Sequence, residues 1–517
     1  MKEMNCNACW KIAAMFLVFA VTVVRAATYH LDAEGGNDAA DGLTRQSAWR
    51  SLERVAGVRL GGGDKLLLKS GAVWKGTLRL AGTGEKDRPI VVGRYGEGPL
   101  PVVDGNGARR AVLIQNPGYF TVHDLELRNS GEWNRELRDG LSVTWCGEEK
   151  AHFSGLQVRR MKIHGVQGIV TRKSKPSFYG NAAINIRCEN PAAIVRDIRI
   201  EDSHIHDVRG VGCWISGKVH PPTMTNVVFR GNLIERTGCD GLIILKARSV
   251  LVEHNRCYDA GALGVKALKT PKGVFGTDYI AGLWVGWYVH DSVFQFNEVA
   301  RTRTFKGDGA AFDVDNETTG THIFQYNYTH GNEGGPYMQT KTSKPDKVIF
   351  RYNVCVNDMT RKMRHHAFHF SSTKPKTHFY NNVFYTENTV PMTVSDQDHV
   401  FFRNNVFYSR KAKYRYPGRP VFENNLFFGP HEVRDEKALR ADPLLANPGP
   451  PEDGYEHADN YKLRAGSPCR DAGVRIPDNG GRDFWGNSLY TGKPDIGAHE
   501  MDEIPDRRIS KPGSAKR

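Results

Sequence analysis

The sequence predicts an all-β chain that folds as a right-handed parallel β-helix, a solenoid whose coils each contribute one short strand to each face. The first observation is a strand–Asn–strand unit that recurs from about residue 110 to residue 430. Repeats of roughly twenty to thirty residues with short strands are typical of solenoids. The second observation is the composition, because 54 glycines, 10% aromatic residues and few amphipathic helical patterns favour strands over helices.

A polar side chain marks the same place in each copy of the repeat. The marked positions lie 29, 23, 42, 30, 26, 29, 23 and 20 residues apart, and they are Ser203, Asn232, Asn255, Asn297, Asn327, Asn353, Asn382, Asn405 and Asn425. Stacked amides can bond the bent backbone of neighbouring coils, so we expect a column of these side chains. The alternation disfavours helical repeats, the leucine spacing disfavours leucine-rich repeats, and a propeller needs about 40 residues per blade.

The N-terminal segment, residues 1–27, has the pattern of a secretory signal peptide. Lys2 and Lys11 precede an apolar run, and small residues follow it at Ala26 and Ala27. A membrane anchor is the alternative, although the run is short for a membrane span. We therefore expect a secreted or periplasmic protein with no membrane span after removal of the signal.

The rest of the chain divides into four parts. Residues 28–110 are expected to form an N-terminal cap and the first coils, including a short capping helix with Ser47 as N-cap and Trp49, Leu52 and Val55 as apolar face. Residues 111–435 form the β-helix, and the 42-residue step indicates an insertion near 258–290. Such insertions often gather on the binding face. We expect residues 436–506 to fold back as a C-terminal capping tail and residues 507–517 to be disordered.

Charge and cysteine content limit the class of protein. The net charge of +14 at pH 7 predicts an anionic partner, and for an exported protein we expect an acidic polysaccharide and no nucleic acid. A lysine-rich surface that only confers solubility is the alternative. Seven of the nine cysteines lie outside the signal without a C-x-x-C pair, which predicts neither a disulfide scaffold nor a zinc site. We expect a monomer.

Three carboxylates lie within eight residues in the stretch from 306 to 315. Because side chains alternate along a strand, Asp313 and Asp315 are expected on one face, about 6.5 Å apart. Glycines on both sides of Asp308 permit a tight bend that brings it beside the pair. Paired carboxylates on a rigid face suit acid/base chemistry on a sugar or binding of a hard cation. A solvated Asp-rich turn is the alternative.

Neighbouring coils carry acidic residues at a similar place. Asp240 and Glu333 each precede a glycine as Asp308 does, so the three are expected to form an acidic column with a step of about 4.8 Å. Like charges this close cannot all ionise unless a cation binds or a pKa rises. A column of exposed turn acids is the alternative.

The candidate site residues follow from these patterns. The catalytic candidates are Asp313, Asp315, Asp308, Glu333 and His330. Cations that could neutralise carboxylates or sulfates, and aromatic rings that could pack on sugars, are the substrate-binding candidates: Lys246, Lys266, Lys269, Arg301, Arg303, Lys306, Trp284, Trp287 and Tyr337. Solvated edge positions for the lysines and core positions for the strand aromatics are the alternatives.

Motifs at both ends of the repeat region indicate a group of proteins. They are the stretches 29–38 and 93–98 near the start and 466–468 and 495–500 near the end. With them the mature chain resembles bacterial secreted right-handed parallel β-helix proteins of the carbohydrate-active kind, the pectate-lyase-like superfamily. Enzymes on this fold include pectate and alginate lyases, chondroitinase, polygalacturonases, fucosidase-like hydrolases and epimerases. The resemblance implies the architecture and a carbohydrate substrate, and it assigns no catalytic residue.

We expect a glycoside hydrolase that cleaves a complex acidic polysaccharide, uronate or sulfated, with carboxylates as acid and base and no required cofactor. A polysaccharide lyase is the first alternative, in which Asp240, Asp308 and Asp313 hold Ca²⁺ and a Lys or Arg removes the proton beside a uronate carboxylate. A non-catalytic glycan-binding surface protein is the second.

Overall fold

The computed structural model describes residues 26–501, except 132–135, 169–180, 219–221, 265, 267, 271–272, 276–278, 343, 362–366, 372–373, 412, 416–418 and 491. Most of the expected signal peptide and the expected disordered end therefore lie outside the described residues. Within the described part, 42 strands are joined mainly as three sheets in which each strand pairs in parallel with its counterpart in the next coil. This arrangement confirms the predicted parallel β-helix.

Sheet I has 14 strands. In spatial order they are β1 (Thr28–Leu31), β3 (Lys65–Lys69), β6 (Ile90–Tyr95), β9 (Phe120–His123), β12 (His152–Arg159), β15 (Ile194–Glu201), β18 (Met224–Arg230), β21 (Ala247–Glu253), β27 (His290–Gln295), β31 (Thr319–Gln325), β34 (Lys344–Arg351), β37 (Lys376–Tyr380), β39 (Val400–Arg403) and β41 (Val421–Glu423).

Sheet II has 13 strands. They are β4 (Val73–Lys75), β7 (Val102–Asp104), β10 (Glu126–Arg128), β13 (Lys162–His164), β16 (His204–Val208), β19 (Leu233–Thr237), β22 (Arg256–Tyr258), β28 (Glu298–Ala300), β32 (Tyr328–His330), β35 (Val354–Val356), β38 (Val383–Thr386), β40 (Val406–Ser409) and β42 (Leu426–Phe428).

Sheet III has 11 strands and carries the candidate site. They are β2 (Arg59–Leu60), β5 (Leu78–Thr83), β8 (Arg110–Gly118), β11 (Asp139–Trp145), β14 (Ala182–Cys188), β17 (Val211–Ser216), β20 (Leu242–Leu245), β26 (Leu283–Gly286), β30 (Phe312–Asp315), β33 (Tyr337–Thr340) and β36 (Phe368–Ser371). Two small sheets complete the set, the antiparallel hairpin β23 (Leu268–Thr270) and β24 (Gly273–Phe275), and the parallel pair β25 (Tyr279–Ile280) and β29 (Gly307–Asp308).

The interior of the solenoid is a column of apolar side chains that repeats from coil to coil. In the later coils of sheet I the column is aromatic: Phe379 stacks on Phe402 with ring centroids 4.7 Å apart, and Phe402 stacks on Phe422 at 4.6 Å. Burial of one such ring stabilises the fold by about 1.5–3 kcal/mol. Because the strands are parallel and in register, equivalent residues of neighbouring coils lie side by side, so aromatic residues that recur at one position of the repeat form the column.

The predicted column of amides joins sheet I to sheet II. At one step, the Asn327 Oδ1 atom accepts hydrogen bonds from the backbone N–H and the side-chain amide of Asn297, both at 3.0 Å. The side-chain amide of Asn327 donates in turn to Asn353 Oδ1 at 3.0 Å and to the carbonyl of Phe294 at 2.9 Å. The same pattern runs through the marked positions from Asn232 to Asn425. This finding confirms the predicted Asn ladder.

The ladder has different ends. At its start, Ser203 takes the Asn position and its backbone N–H donates to Asn232 Oδ1 at 3.1 Å. At its other end, the carboxylate of Asp435 accepts from the backbone and the side-chain amide of Asn425, both at 2.9 Å. A carboxylate only accepts hydrogen bonds, so it completes the last amide without leaving a donor unsatisfied.

The N-terminal helix α1 (Leu52–Ala56) begins later in the chain than predicted. Ser51, and not Ser47, is the N-cap, because its side chain accepts a hydrogen bond from Arg54 N. The Ser47 hydroxyl instead donates to Asp41 at 2.6 Å in the preceding turn. Trp49 precedes the helix and is 1% exposed, so it packs into the core as part of the cap.

The chain after β42 runs back along the corner between sheets I and II. It includes a 3₁₀-helix (Tyr455–Tyr461). The side-chain amides of Asn381, Asn404 and Asn424, which directly precede ladder residues, donate to backbone carbonyls of this tail at 2.8–2.9 Å. Each of them has a left-handed backbone conformation, which asparagine tolerates. The paired asparagines therefore serve two purposes, one inside the coil and one outside.

In the part of the chain that the structure describes, no helix has the length and apolar character that a membrane crossing requires.

Candidate active site

The carboxylate pair lies on the outer surface of sheet III. Phe312 and Val314 in β30 are 0% exposed and point into the solenoid, so Asp313 and Asp315 point outward together. In the neighbouring strands, Asp313 is paired with Trp284 on one side and Met338 on the other. A rigid sheet position of this kind holds both carboxyl groups in fixed orientations.

Asp313 is the most strongly perturbed acid of this surface. It is 5% exposed, and its Oδ1 atom has no hydrogen-bond partner among the described residues. Burial raises the pKa of Asp313 well above its ordinary value, and the charges of Asp315, Asp308 and Asp240 raise it further. A carboxyl group in this environment retains its proton at pH values where an ordinary aspartate has lost it.

Asp315 differs from Asp313 in having more groups that stabilise its charge. The Thr340 hydroxyl donates to its Oδ1 atom. Burial raises the pKa of Asp315, whereas the Thr340 hydroxyl, the backbone N–H of Asn316 and the charge of Lys341 lower it. The pKa of both carboxyl groups is raised overall, but more neighbouring groups favour the ionised form of Asp315 than favour that of Asp313, so the pair is unequal.

Asp240 lies two coils before β30 and is 3% exposed. Its Oδ1 atom accepts hydrogen bonds from the backbone N–H of Ala281 and from the indole Nε1–H of Trp284, both at 2.9 Å. Trp284 lies between Ile243 and Asp313 in the sheet register. Asp240 thus fixes the orientation of the ring that packs beside Asp313.

Asp308 approaches the pair from the turn between sheets II and III. It has a left-handed φ of 64° and pairs with Ile280 in the small parallel sheet β25–β29. Its charge raises the pKa of Asp313. The Lys306 ammonium lies 5.6 Å from the centre of the Tyr279 ring in the same small sheet. The Gly-Asp-Gly bend therefore brings a third carboxylate and a cation to the site, although Asp308 pairs with Ile280 and not with Asp240.

Two catalytic candidates have other partners, and one of them, His330, lies on a different sheet from Asp313. The Glu333 carboxylate accepts from Thr304 N at 2.9 Å and pairs with Arg361 at 3.1 Å, so it ties one turn to the next. His330 lies in sheet II, where its Nε2 atom is 2.9 Å from Glu298 Oε1. Because successive sheets occupy different faces of the solenoid, His330 cannot act with Asp313.

Three substrate-binding candidates have structural partners instead. Arg301 pairs with Asp259 at 3.0 Å and also with Asp453 of the tail, and Arg303 pairs with Asp259 at 3.0 Å. Tyr337 points into the core with 0% exposure, where its hydroxyl donates to Gln339 at 3.0 Å. Tyr337 is therefore a core residue and cannot contact substrate, whereas Arg301 and Arg303 are ion-paired but partly exposed, and their contact with substrate stays a prediction.

The other substrate-binding candidates differ in accessibility. Trp284 is 6% exposed, so its faces are covered and it supports the site without offering a surface for sugar. Trp287 is half-buried, and its ring centre is 6.3 Å from that of Trp284. The Lys246 ammonium donates to the carbonyl of Lys218 at 3.0 Å, and Lys266 is exposed. Lys269 belongs to strand β23, and its predicted contact with substrate stays a prediction.

No pattern in the sequence indicated Thr340 as a partner of Asp315. The two residues are 25 positions apart, and only the register between β30 and β33 brings them together. Knowledge of the coil length between equivalent positions would have identified it.

One set of three potential metal ligands occurs among the described residues, and it lies away from the carboxylate pair. It consists of Glu298, His330 and Asp453, whose ligand atoms lie within 4.8 Å of one another. Arg301 already pairs with Asp453, and the backbone N–H of Gly454 donates to Glu298 at 2.8 Å. The set therefore serves as a hydrogen-bonded contact between sheet II and the tail.

Comparisons with known proteins agree with the fold. The family described as right handed beta helix region matches residues 154–355. A lacto-N-biosidase from Bifidobacterium longum subsp. longum is 25% identical over 601 aligned positions, which cover 94% of this chain and 37% of that protein. The chain thus spans little more than a third of the length of the curated relative that it matches.

Solved structures show the same architecture. The GH136 lacto-N-biosidase from Eubacterium ramulus superposes with a TM-score of 0.58 at 22% identity, covering 77% of this chain and 67% of that one. XylC in complex with xylose superposes with a TM-score of 0.52 at 11% identity, covering 92% of this chain and 98% of that one. By sequence and by structure, the chain is a right-handed parallel β-helix protein that is similar to lacto-N-biosidases.

Proposed function

We propose that this protein is a glycoside hydrolase in which Asp313 is the general acid and Asp315 is the second catalytic carboxylate. The observation that carries the proposal is the unequal pair on sheet III, one carboxyl group buried without a hydrogen-bond partner on Oδ1 and the other bonded to Thr340. Glycoside hydrolysis needs such a pair, one group protonated and one ionised. The similarity to a lacto-N-biosidase supports the same class of reaction.

Asp313 and Asp315 have different roles in the proposed reaction. The protonated Asp313 carboxyl donates its proton to the glycosidic oxygen as the bond to the leaving group breaks. The ionised Asp315 stabilises the positive charge that develops at the anomeric carbon, and it either attacks that carbon or activates a water molecule. Asp308 and Asp240 keep Asp313 protonated through their charges, and Trp284 excludes water from one side.

We further propose that the substrate is an anionic glycan, uronate or sulfated, and that the protein is exported. Two lysines lie near the carboxylates. The charge of Lys341 lowers the pKa of Asp315, and Lys306 precedes Asp308 by two positions in the sequence. Trp287 offers a half-buried ring on which a sugar can pack. The full sequence has a net charge of +14, of which residues 28–517 carry about +12, and this charge favours approach of such a polymer.

The lyase alternative assigns the same acids a different task, with Ca²⁺ held by Asp240, Asp308 and Asp313. In this structure the Asp240 Oδ1 atom already accepts two N–H groups, and an oxygen in that arrangement is a poorer ligand for a cation. The hydrolase is proposed to need no cofactor, so the effect of a calcium chelator distinguishes the two functions.

The test is product analysis on a panel of uronate, sulfated and neutral glycans, including lacto-N-tetraose, with and without a calcium chelator. We expect saturated reducing ends that form in the presence of chelator, and we expect Asp313→Asn to lower kcat by at least about a thousandfold because the acid is lost. Asp87→Asn, at an exposed position, is the matched control and should retain full activity. Unsaturated products that vanish with chelator would overturn the hydrolase in favour of the lyase. Binding without turnover on every glycan would support a glycan-binding protein instead.

A further inference from the structure

A cavity lies on a different face of the molecule from the carboxylate pair. It has a volume of about 220 Å³ and is formed where the tail crosses the outer surface of sheet I. Its floor includes Ile349, His378 and Phe401, which follow one another in the register of β34, β37 and β39. Its wall is the tail segment 476–478. This volume is large enough for several water molecules or for one small polar ligand.

Positive charge surrounds this cavity. Lys347 and Arg403 line it, and Lys376 is the register neighbour of Lys347. The acidic groups nearby are Asp478, which also lines the cavity, and Glu423, which pairs with Arg403 at 2.9 Å. Arg351 bonds to the hydroxyl of Tyr380, which lines the cavity, at 3.1 Å and to the backbone carbonyl of Asp478 at 2.6 Å. Cations outnumber carboxylates, so the site has a positive potential.

His378 is the polar group of the floor. Burial lowers the pKa of His378 to about 4, and the charges of Arg403, Lys376 and Lys347 act in the same direction. The imidazole is therefore neutral near pH 7, with one nitrogen as donor and the other as acceptor. Its ring is stacked on that of Phe401, with centroids 5.1 Å apart, so its orientation is fixed. A hydroxyl-bearing ligand can satisfy both nitrogens at once.

We propose that this cavity is an accessory binding site for one anionic sugar unit, a uronate or a sulfated hexose, separate from the carboxylate pair on sheet III. The cations hold the carboxylate or sulfate group, His378 bonds to ring hydroxyls, and Ile349, Phe401 and Ile476 contact the apolar face of the sugar. The site would retain an anionic polymer on sheet I while another part of it reaches sheet III. Binding at this face does not depend on hydrolysis at sheet III.

The experiment measures binding of D-glucuronate, D-glucose and inorganic sulfate by saturation-transfer NMR and calorimetry at low ionic strength. The protein is the full chain with Asp313→Asn, so that turnover plays no part. We expect D-glucuronate to bind at least about tenfold more tightly than D-glucose, because only the former has a charge for Lys347 and Arg403. His378→Ala and Lys347→Gln should each weaken binding at least about threefold. Lys65→Gln, an exposed lysine of the same sheet, is the matched control and should bind as the parent does.

Three outcomes would overturn the proposal. D-glucose binding as tightly as D-glucuronate would remove the role of charge. Sulfate binding as tightly as D-glucuronate would reduce the cavity to a simple anion site. Binding unchanged in His378→Ala and Lys347→Gln, both shown to be folded by circular dichroism, would place the ligand elsewhere. Failure of hydrolysis in the unmodified protein would affect the proposed function and leave this binding result intact.

Discussion

Replacement of one ladder amide should cost a large part of the stability of the fold. Asn327 is 0% exposed, and its side chain takes part in four hydrogen bonds, two accepted from Asn297 and two donated, to Phe294 and Asn353. At about 1 kcal/mol for each net hydrogen bond, Asn327→Ala should lower the free energy of unfolding by about 4 kcal/mol. The replacement also removes the acceptor for the buried backbone N–H of Asn297 and the side-chain donor to the carbonyl of Phe294.

The assay is urea unfolding followed by circular dichroism, with Asn447→Ala as control. Asn447 is exposed, so its replacement should change the free energy of unfolding by less than about 0.5 kcal/mol. Asn327→Asp separates hydrogen bonding from shape, because it keeps the volume and the acceptor but loses both donors. We expect it to be at least as destabilising as Asn327→Ala. A loss below about 1 kcal/mol in both Asn327 variants would refute the view that the ladder holds the coils together.

Three further predictions concern the site and its surroundings. Activity should fall at low pH as Asp315 gains a proton and at high pH as Asp313 loses its own, and both limbs should lie at higher pH than for ordinary aspartates because burial raises the pKa of both groups. Asp315→Asn should abolish the low-pH limb and lower kcat at least about a thousandfold. Initial rates measured across the pH range test both statements. An unaltered low-pH limb in that variant would assign the base to another group. Trp284→Phe removes the indole N–H that donates to Asp240, so we expect a lower kcat and a free energy of unfolding that is about 1–2 kcal/mol smaller. A kcat equal to that of the unmodified protein would contradict a supporting role for Trp284. Burial raises the pKa of Asp358 to about 6, above its unfolded value near 4, so its contribution to stability is present below about pH 4 and is lost as the pH rises through 6. In thermal unfolding, the stability of the unmodified protein relative to Asp358→Asn should therefore fall by about 2–3 kcal/mol between pH 4 and pH 7. A difference in stability that does not change with pH would contradict the raised pKa.

The features that follow from periodicity could be predicted from the sequence. The Asn ladder repeats a local pattern, and the common face of Asp313 and Asp315 follows from alternation along a single strand. Both require only the spacing of residues within a coil. Neither depends on how distant parts of the chain meet.

The features that depend on turns and on the tail could not be predicted. Glu333 precedes a glycine as Asp308 does, yet it turns to Thr304 and Arg361, because a turn has no fixed direction for its side chains. Arg301 pairs with Asp453, 152 residues later in the chain, which no local pattern indicates. Composition alone suggested that a tryptophan packs on sugar, whereas register gives Trp284 a carboxylate partner in Asp240.

The Asn ladder separates the length of a coil from its pitch. Ladder residues follow one another after as few as 20 and as many as 42 positions, yet the bonds between their amides stay at 2.9–3.1 Å. Extra residues therefore enlarge the periphery of the solenoid and leave the axial spacing unchanged. A loop beside the carboxylate pair can be exchanged for another of different length without shifting Asp313 along the axis, which makes this fold a scaffold on which specificity can be redesigned one coil at a time.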